Sequence, residues 1–183
     1  MASTNDNLFT SFCESLAVVR IKFVIGGRSA HLRVGLAGQR VQSLHLVDSP
    51  LERAAHQGQQ RKLFIEWLAR FEAATPSEQW ERLALQGTAF QEKVWRHLLE
   101  LGWGRRISYG ALAHGIGSSK AVRAVATAVA ANPIALLVPC HRIIRANGSL
   151  GGFRWGRAFK QALLESEQHY TSWSALLSQD SRT

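Results

Sequence analysis

The chain has 183 residues, 46% hydrophobic and 19% charged, with a formal net charge of +9. That balance supports a packed core and excludes a disordered chain, and no apolar run reaches the ~18 residues of a membrane span. The two cysteines, Cys13 and Cys140, are far apart and unlike in context. They exclude a disulfide framework and a Cys-rich structural zinc site, and fit a reducing compartment. Met1 to Asn7 is polar, so no secretory signal is expected. The charge is lopsided: residues 1–85 hold ten Lys and Arg against eight Asp and Glu, and residues 86–183 hold twelve against five. A basic second half suits a polyanionic partner, of which nucleic acid is the usual one.

In chain order, Leu16 to Ile25 is rich in β-branched residues and predicts a strand, followed by the Gly26-Gly27 turn. Ala30 to Leu36 and Val41 to Val47 alternate apolar and polar residues, with Gly38 between them. Three strands with short turns predict an antiparallel meander. Its histidines, His31 and His45, are expected on strand faces rather than on a metal. Pro50 opens a helical region, and Arg61 to Glu72 carries Phe64, Trp67, Leu68 and Phe71 on one face. Thr75-Pro76-Ser77 begins an expected linker that runs to Gly87-Thr88.

Phe90 to Leu101 then predicts an amphipathic helix ended by Gly102 and Gly104. Ser108 can cap a second helix, Tyr109 to Ile116. Gly117-Ser118 breaks it, and Ser119 to Ala131 predicts a third helix rich in Ala and Val. Helix, short Gly-bearing turn, helix is the outline of a helix-turn-helix. The last helix carries Lys120 and Arg123 among small side chains, so it could approach a surface closely. Arg123 is either solvated or inserted into DNA, where arginine can fill the space of an extruded base.

The chemistry centres on Asn132 to Arg142, Asn-Pro-Ile-Ala-Leu-Leu-Val-Pro-Cys-His-Arg. Ile134 to Val138 reads as a short buried segment leading to Cys140. Pro139 stiffens the approach. Positive charge from His141 and Arg142 is expected to lower the thiol pKa and favour the nucleophilic thiolate. A buried structural cysteine is the competing reading.

The run from Gly87 to Gly156 resembles the methylated-DNA–protein-cysteine methyltransferases, the O6-alkylguanine-DNA alkyltransferase family. The matching blocks are Gly-Thr-Ala-Phe-Gln-Glu-Lys-Val-Trp (Gly87 to Trp95), Ser108 to Ala113, Ala121 to Val125, Asn132-Pro133, Pro139-Cys140-His141-Arg142 and Gly152-Phe153-Arg154-Trp155-Gly156. Within the family the chain is most similar to the repair domain of the bacterial adaptive-response regulator, whose metal-binding domain has no counterpart here. The resemblance implies an α+β chain. Residues 1–85 would form a ribonuclease-H-like antiparallel sheet domain. Residues 86–170 would be a mainly helical DNA-binding and alkyl-acceptor domain with a helix-turn-helix and an active-site loop, and residues 171–183 a C-terminal tail.

The resemblance also implies roles. Cys140 would accept the alkyl group from O6-alkylguanine in double-stranded DNA, and from O4-alkylthymine, once per molecule. His141 would act through a water, with Glu167 completing the relay and Glu165 as its near competitor. Tyr109 would donate a hydrogen bond to the base. Arg123 would replace the flipped base, with Ser119, Lys120 and Thr127 also contacting DNA. Asn132 would be the hinge and Arg154 would offer a backbone N–H. Pro139, Arg142, Ile143, Phe153, Trp155 and Lys160 would complete the pocket. Phe153 stands where the family usually has Tyr, and Gly102 where it usually has Pro. No metal or cofactor is expected, and the protein is expected to act as a cytoplasmic monomer, nucleoid-associated when on DNA.

Two other classes fit parts of the sequence. A helix-turn-helix protein with a structural or sensing cysteine explains charge and helices but not Tyr109, His141 and Glu167 together. A cysteine hydrolase needs a base facing the thiol, and neighbours on an extended segment point to opposite faces.

Overall fold

Alternating residues in the first third pair into a meander. In the computed structural model, which describes residues 18–25, 28–38, 40–47 and 57–179, strands β1 (Val18–Ile25), β2 (Arg28–Ala37) and β3 (Arg40–Val47) form an antiparallel sheet in that order. Leu32, Val34, Val41, Leu44 and Leu46 turn inward and are buried, while Arg33 and Arg40 stay exposed. Cys13, the Gly26-Gly27 turn and Pro50 lie outside the described residues.

Helix α1 (Gln57–Glu72) lays the expected face, Phe64, Trp67, Leu68 and Phe71, into the core. Trp67 stacks between Phe64 and Phe71, with ring centroids 5.8 and 5.3 Å away. Each such buried side chain contributes roughly 1.5–3 kcal/mol.

The expected linker is not all loop: Pro76–Glu81 forms helix α2. Glu78 N–H donates to Thr75 Oγ1 at 3.4 Å, and Thr75 N–H donates to Glu78 Oε2 at 2.8 Å. This is a capping box with proline at the first helical position. The Thr-Pro-Ser-Glu signal was in the sequence, but the turn-forming look of Thr-Pro-Ser hid it.

The second half is helical. Helix α3 (Ala89–Leu99) is capped by Thr88 and buries Val94, Trp95, Leu98 and Leu99. The short strand β4 (Ile107–Ser108) leads into helix α4 (Tyr109–Gly115), where Ser108 Oγ accepts from Ala111 N–H at 3.0 Å as anticipated. Helix α5 spans Val122–Ala130 and so starts three residues later than the sequence suggested. Gly117, at φ 68°, closes α4, and Ala121 N–H turns back to Ser118 C=O at 2.8 Å. Ser119 and Lys120 therefore sit in the turn before α5 rather than on it. Trp95 Nε1 donates to Ala128 C=O at 2.8 Å, locking α3 against α5.

A 3-10 turn, Cys140–Arg142, precedes β5 (Ile143–Ile144), which pairs in parallel with β4. Helix α6 (Arg157–His169) follows, then α7 (Trp173–Gln179). Helix α7 lies within the stretch assigned to a tail, yet Trp173, Leu176 and Leu177 are buried. Its first turn is held by Glu72 of α1, whose carboxylate accepts from Trp173 N–H at 2.6 Å and Ser174 N–H at 3.2 Å. A carboxylate at a helix start satisfies backbone donors that would otherwise be orphaned.

The buried apolar residues form one cluster from Ile25 to Leu177, joining sheet and helices. The free side of β3 is covered at two places. Val41 bonds Arg82 and Ala84, and Leu44 bonds Pro133 C=O at 3.0 Å and Ala135 N–H at 2.9 Å. The sheet thus grips the segment that leads to Cys140. Among the described residues no helix is long and apolar enough to cross a membrane.

Candidate active site

The segment before Cys140 is built by a side chain. Asn132, 1% exposed, accepts Ile134 N–H on Oδ1 at 2.9 Å. Its Nδ2 lies 3.1 Å from Ile134 C=O, 2.9 Å from Val138 C=O and 3.2 Å from Cys140 Sγ. A primary amide has only two N–H groups, so the three acceptors share them. The segment between is buried, as its apolar residues suggested, and is wound into turns. Ala135, Val138 and their neighbours close successive turns, and Leu136 takes φ 66°. A left-handed Leu costs about 1–2 kcal/mol, which the buried surroundings and the Asn132 bonds offset.

Burial pushes the Cys140 thiol up from 9 to about 11, against the smaller opposing effects of the Asn132 hydrogen bond and the Lys160 charge. The expected activation by His141 and Arg142 is therefore corrected. The reason is where those two side chains go. Glu167 Oε1 accepts His141 Nε2–H and Arg142 Nε–H, each at 2.8 Å, and lies in an ion pair 2.8 Å from Arg142 Nη2. Arg142 Nη1 donates to Leu101 C=O at 2.7 Å and Gly102 C=O at 3.1 Å. The guanidinium is spent on this buried network. Burial also lowers the His141 pKa, against the pull of Glu167. Glu167 itself is held below its usual value: burial raises it, but its bonds to His141 and Arg142 prevail.

A carboxylate accepts only, so the Nε2 of His141 carries the proton and a neutral ring leaves Nδ1 as the bare acceptor. That Nδ1 is buried without a protein hydrogen-bond partner. The site therefore contains a protonated thiol and a neutral imidazole with a lone pair available as base. Of the two carboxylates weighed, Glu167 reaches the imidazole, whereas Glu165 pairs with Gln161 on the exposed face of α6 at 2.8 Å.

Cys140 opens onto a cavity of about 570 Å³. Helix α5 contributes Ala126, Val129 and Ala130; Tyr109 comes from the start of α4; Arg145, Gly152, Phe153 and Arg154 come from the segment after β5. Burial raises the Tyr109 pKa, with the Cys140 charge adding to the effect, so the phenol remains a donor. Gly151 takes φ 69° beside the Tyr109 ring, a left-handed backbone conformation that favours glycine. Lys160 lies beneath, fully buried, donating to Ile143 C=O, Leu150 C=O and, at 3.2 Å, Gly152 C=O. Burial lowers its pKa to about 8.

The residues grouped as pocket or hinge separate into three sets. Phe153 and Arg154 line the cavity, and Trp155 packs on Phe153 at 5.2 Å and faces His45 of β3 at 6.1 Å. Asn132, Ile143 and Lys160 support it from inside the fold. Pro139 and Arg142 instead line a different cavity of about 300 Å³. Ser119, Lys120, Arg123 and Thr127 are exposed, with Ser119 Oγ 3.2 Å from His114 Nδ1 and Thr127 Oγ1 donating to Arg123 C=O at 3.2 Å.

Sequence reasoning missed three contributors. Arg145 lines the Cys140 cavity. Trp103 donates to Glu167 C=O at 3.1 Å and Tyr170 C=O at 2.6 Å. Trp173 sets its ring edge-on to His141 at 5.6 Å. Arg145 follows the Cys-His-Arg block by three residues, a signal available but unremarkable; the tryptophans are assembled only by folding.

The thiol chemistry makes a direct prediction. In a Cys13→Ser protein, Cys140 should react with iodoacetamide slowly at pH 7. Because the thiolate is the nucleophile, the rate should rise about tenfold per pH unit through pH 9, without levelling near 8.5. Rates by mass spectrometry that plateau below pH 8 would show a depressed thiol pKa instead.

Residues 89–169 match the family described as 6-O-methylguanine DNA methyltransferase, DNA binding domain. The bifunctional transcriptional activator/DNA repair enzyme Ada of Escherichia coli is 51% identical over 85 residues, which is 46% of this chain and 24% of that protein. A methylated-DNA–protein-cysteine methyltransferase of Mycobacterium tuberculosis is 50% identical over 86 residues, 47% of this chain and 52% of that protein. Among solved structures, Mycobacterium tuberculosis OGT in complex with DNA superposes with a TM-score of 0.61 at 30% identity, covering 87% of this chain and 99% of that one. The chain belongs to the O6-methylguanine-DNA methyltransferase family. The matched stretch spans about a quarter and about half the length of these two curated relatives. Family membership rests on the structural match as well as on the block around Cys140, since the match covers 87% of this chain.

Proposed function

We propose that this protein repairs DNA directly, moving the alkyl group of O6-alkylguanine in duplex DNA onto its own Cys140. The observation that carries this is the placement of Cys140 on an open cavity between Tyr109 and α5, with the neutral His141 held by Glu167 beside it. Nδ1 of His141 accepts the thiol proton through a water, and Nε2–H remains on Glu167. The Sγ lone pair attacks the alkyl carbon, the carbon–O6 bond breaks, and its electrons pass to the guanine. Tyr109 Oη–H and the backbone N–H of Arg154 offset the charge developing there. Such a thiolate exists briefly, formed by the base at the moment of attack, because the resting thiol is protonated at neutral pH.

The lesion must leave the stack to reach this cavity. Extrusion costs a few kcal/mol, and Arg123, with Ser119, Lys120 and Thr127, is suited to meet it from α4 and α5 acting as a helix-turn-helix. Residues 1–85 act as the ribonuclease-H-like support and residues 86–170 as the DNA-binding and acceptor unit. O4-alkylthymine is a second substrate, and the working form is a cytoplasmic monomer that associates with the nucleoid on DNA.

A thioether has no good leaving group, so the protein is consumed. Incubated with excess duplex bearing O6-methylguanine, it should restore guanine up to one equivalent, and the Cys140 peptide should gain one methyl group. Multiple turnovers with unmodified protein recovered would refute the acceptor role. Tight DNA binding without transfer would instead favour a helix-turn-helix protein with a sensing cysteine.

A further inference from the structure

Next to the Cys140 cavity is a smaller notch of about 150 Å³, lined by Arg145, Gly151, Gly152 and Arg157. Arg145 and Gly152 border both spaces. No carboxylate lines the notch, and neither arginine is ion-paired to a carboxylate among the described residues. Two exposed arginines bordering one small notch concentrate positive charge there and favour an anion. Gly152 adds open room, since nothing lies within 4 Å of where its Cβ would be.

The arrangement is rigid. Lys160 sits three residues after Arg157 on α6, and its buried ammonium holds Ile143 C=O, Leu150 C=O and Gly152 C=O. Arg145 lies two residues after Ile143, and its N–H and C=O close the turn with Ser149 and Gly148 at 2.8 and 2.9 Å. One lysine therefore ties together the segments that carry all the lining residues.

We propose that this notch holds a phosphodiester of the DNA backbone next to the extruded nucleotide, clamped between Arg145 and Arg157. The inference rests on the function proposed above and adds a contact to it. Guanidinium forks match the paired oxygens of a phosphodiester. A nucleotide whose base fills the Cys140 cavity must keep its own phosphates within a sugar's reach, and the notch shares two lining residues with that cavity. Free phosphate offers the same oxyanion but no such link to the base.

The test uses the full chain and duplexes carrying O6-methylguanine with one neutral methylphosphonate placed at successive linkages around it. For the unaltered protein, one linkage beside the lesion should cost about tenfold in affinity, the scale of one charge-assisted contact. The Arg145→Ala/Arg157→Ala protein should lose nothing further at that linkage. The slope of log affinity against log salt should also become shallower by about 0.9, the value for one phosphate contact. Both side chains are exposed, so the fold is not at stake, and Arg157→Gln alone should remove about half of each effect. Undiminished phosphonate sensitivity in the double variant, or an unchanged salt slope, overturns the clamp. So does inorganic phosphate that blocks binding beyond its ionic strength while no linkage is sensitive. A protein that shows the clamp signature yet never methylates Cys140 refutes the repair reading and leaves the clamp standing.

Discussion

Cys140→Ser is expected to abolish alkyl transfer while leaving affinity for duplex DNA within about twofold. Serine is near in size, and Asn132 Nδ2, 3.2 Å from Sγ, can donate to a hydroxyl instead, so the loop between Asn132 and Arg142 keeps its turns. What is lost is the soft nucleophile. A serine hydroxyl gives almost no alkoxide at neutral pH, and removing an acceptor nucleophile costs on the order of 10⁴-fold or more in rate. The exposed side chains of Arg123, Lys120 and Thr127 are untouched, which is why binding should persist. The measurement is methyl transfer from labelled duplex alongside a binding titration. Label recovered on another residue of the variant would move the acceptor away from Cys140.

Glu167→Gln should have the next largest effect, on stability and rate together. Glu167 is 6% exposed, and its carboxylate accepts from His141 and Arg142 and forms an ion pair with the Arg142 guanidinium. Glutamine keeps an acceptor but leaves the buried Arg142 without a counter-charge, and breaking a buried pair in this way costs about 3 kcal/mol. At about 2–4 °C per kcal/mol for a chain of this size, the melting temperature should fall by roughly 6–12 °C. Transfer should slow as well, because a neutral partner supports a charged imidazole less well, and the pH at which Cys140 reacts should rise. The pH dependence has a definite sign. The folded pKa of Glu167 lies below its unfolded value near 4.5. Its contribution is therefore present above pH 4.5 and is lost as pH falls through the lower folded value. The stability gap between the unaltered protein and the variant should close in that acid range. Glu165→Gln, which touches only Gln161 on the surface, should shift stability by no more than about 0.5 kcal/mol. A larger loss from Glu165→Gln would reassign the relay.

Several features of the protein were readable in the residues alone. Alternation in β2 and β3, the apolar stripe of Phe64, Trp67, Leu68 and Phe71, and Ser108 as a cap are local signals, set by side-chain period and backbone donors. The block Pro139-Cys140-His141-Arg142 pointed to the proposed chemistry, and Glu167 could be placed by counting. Other features depended on distance in space. The pKa of Cys140 was misjudged because sequence adjacency puts Arg142 beside the thiol, whereas folding sends its guanidinium to Glu167 and to Leu101 C=O. Burial, which raises the thiol pKa, is a property of the whole core. Ile134 to Val138 is buried as its residues suggested, but its turns are set by hydrogen bonds from the Asn132 side chain, which no local propensity encodes. Helix α7 looked like a tail because its seven residues are too few to be stable alone; Glu72, about a hundred residues earlier, caps it and places Trp173 on His141. The sequence by itself determined most of the elements and the family, and put Cys140 forward as the candidate nucleophile. Only the tertiary structure decided the protonation states, the partners of Arg142 and the shape of the space around Cys140, because those depend on groups brought together from across the chain.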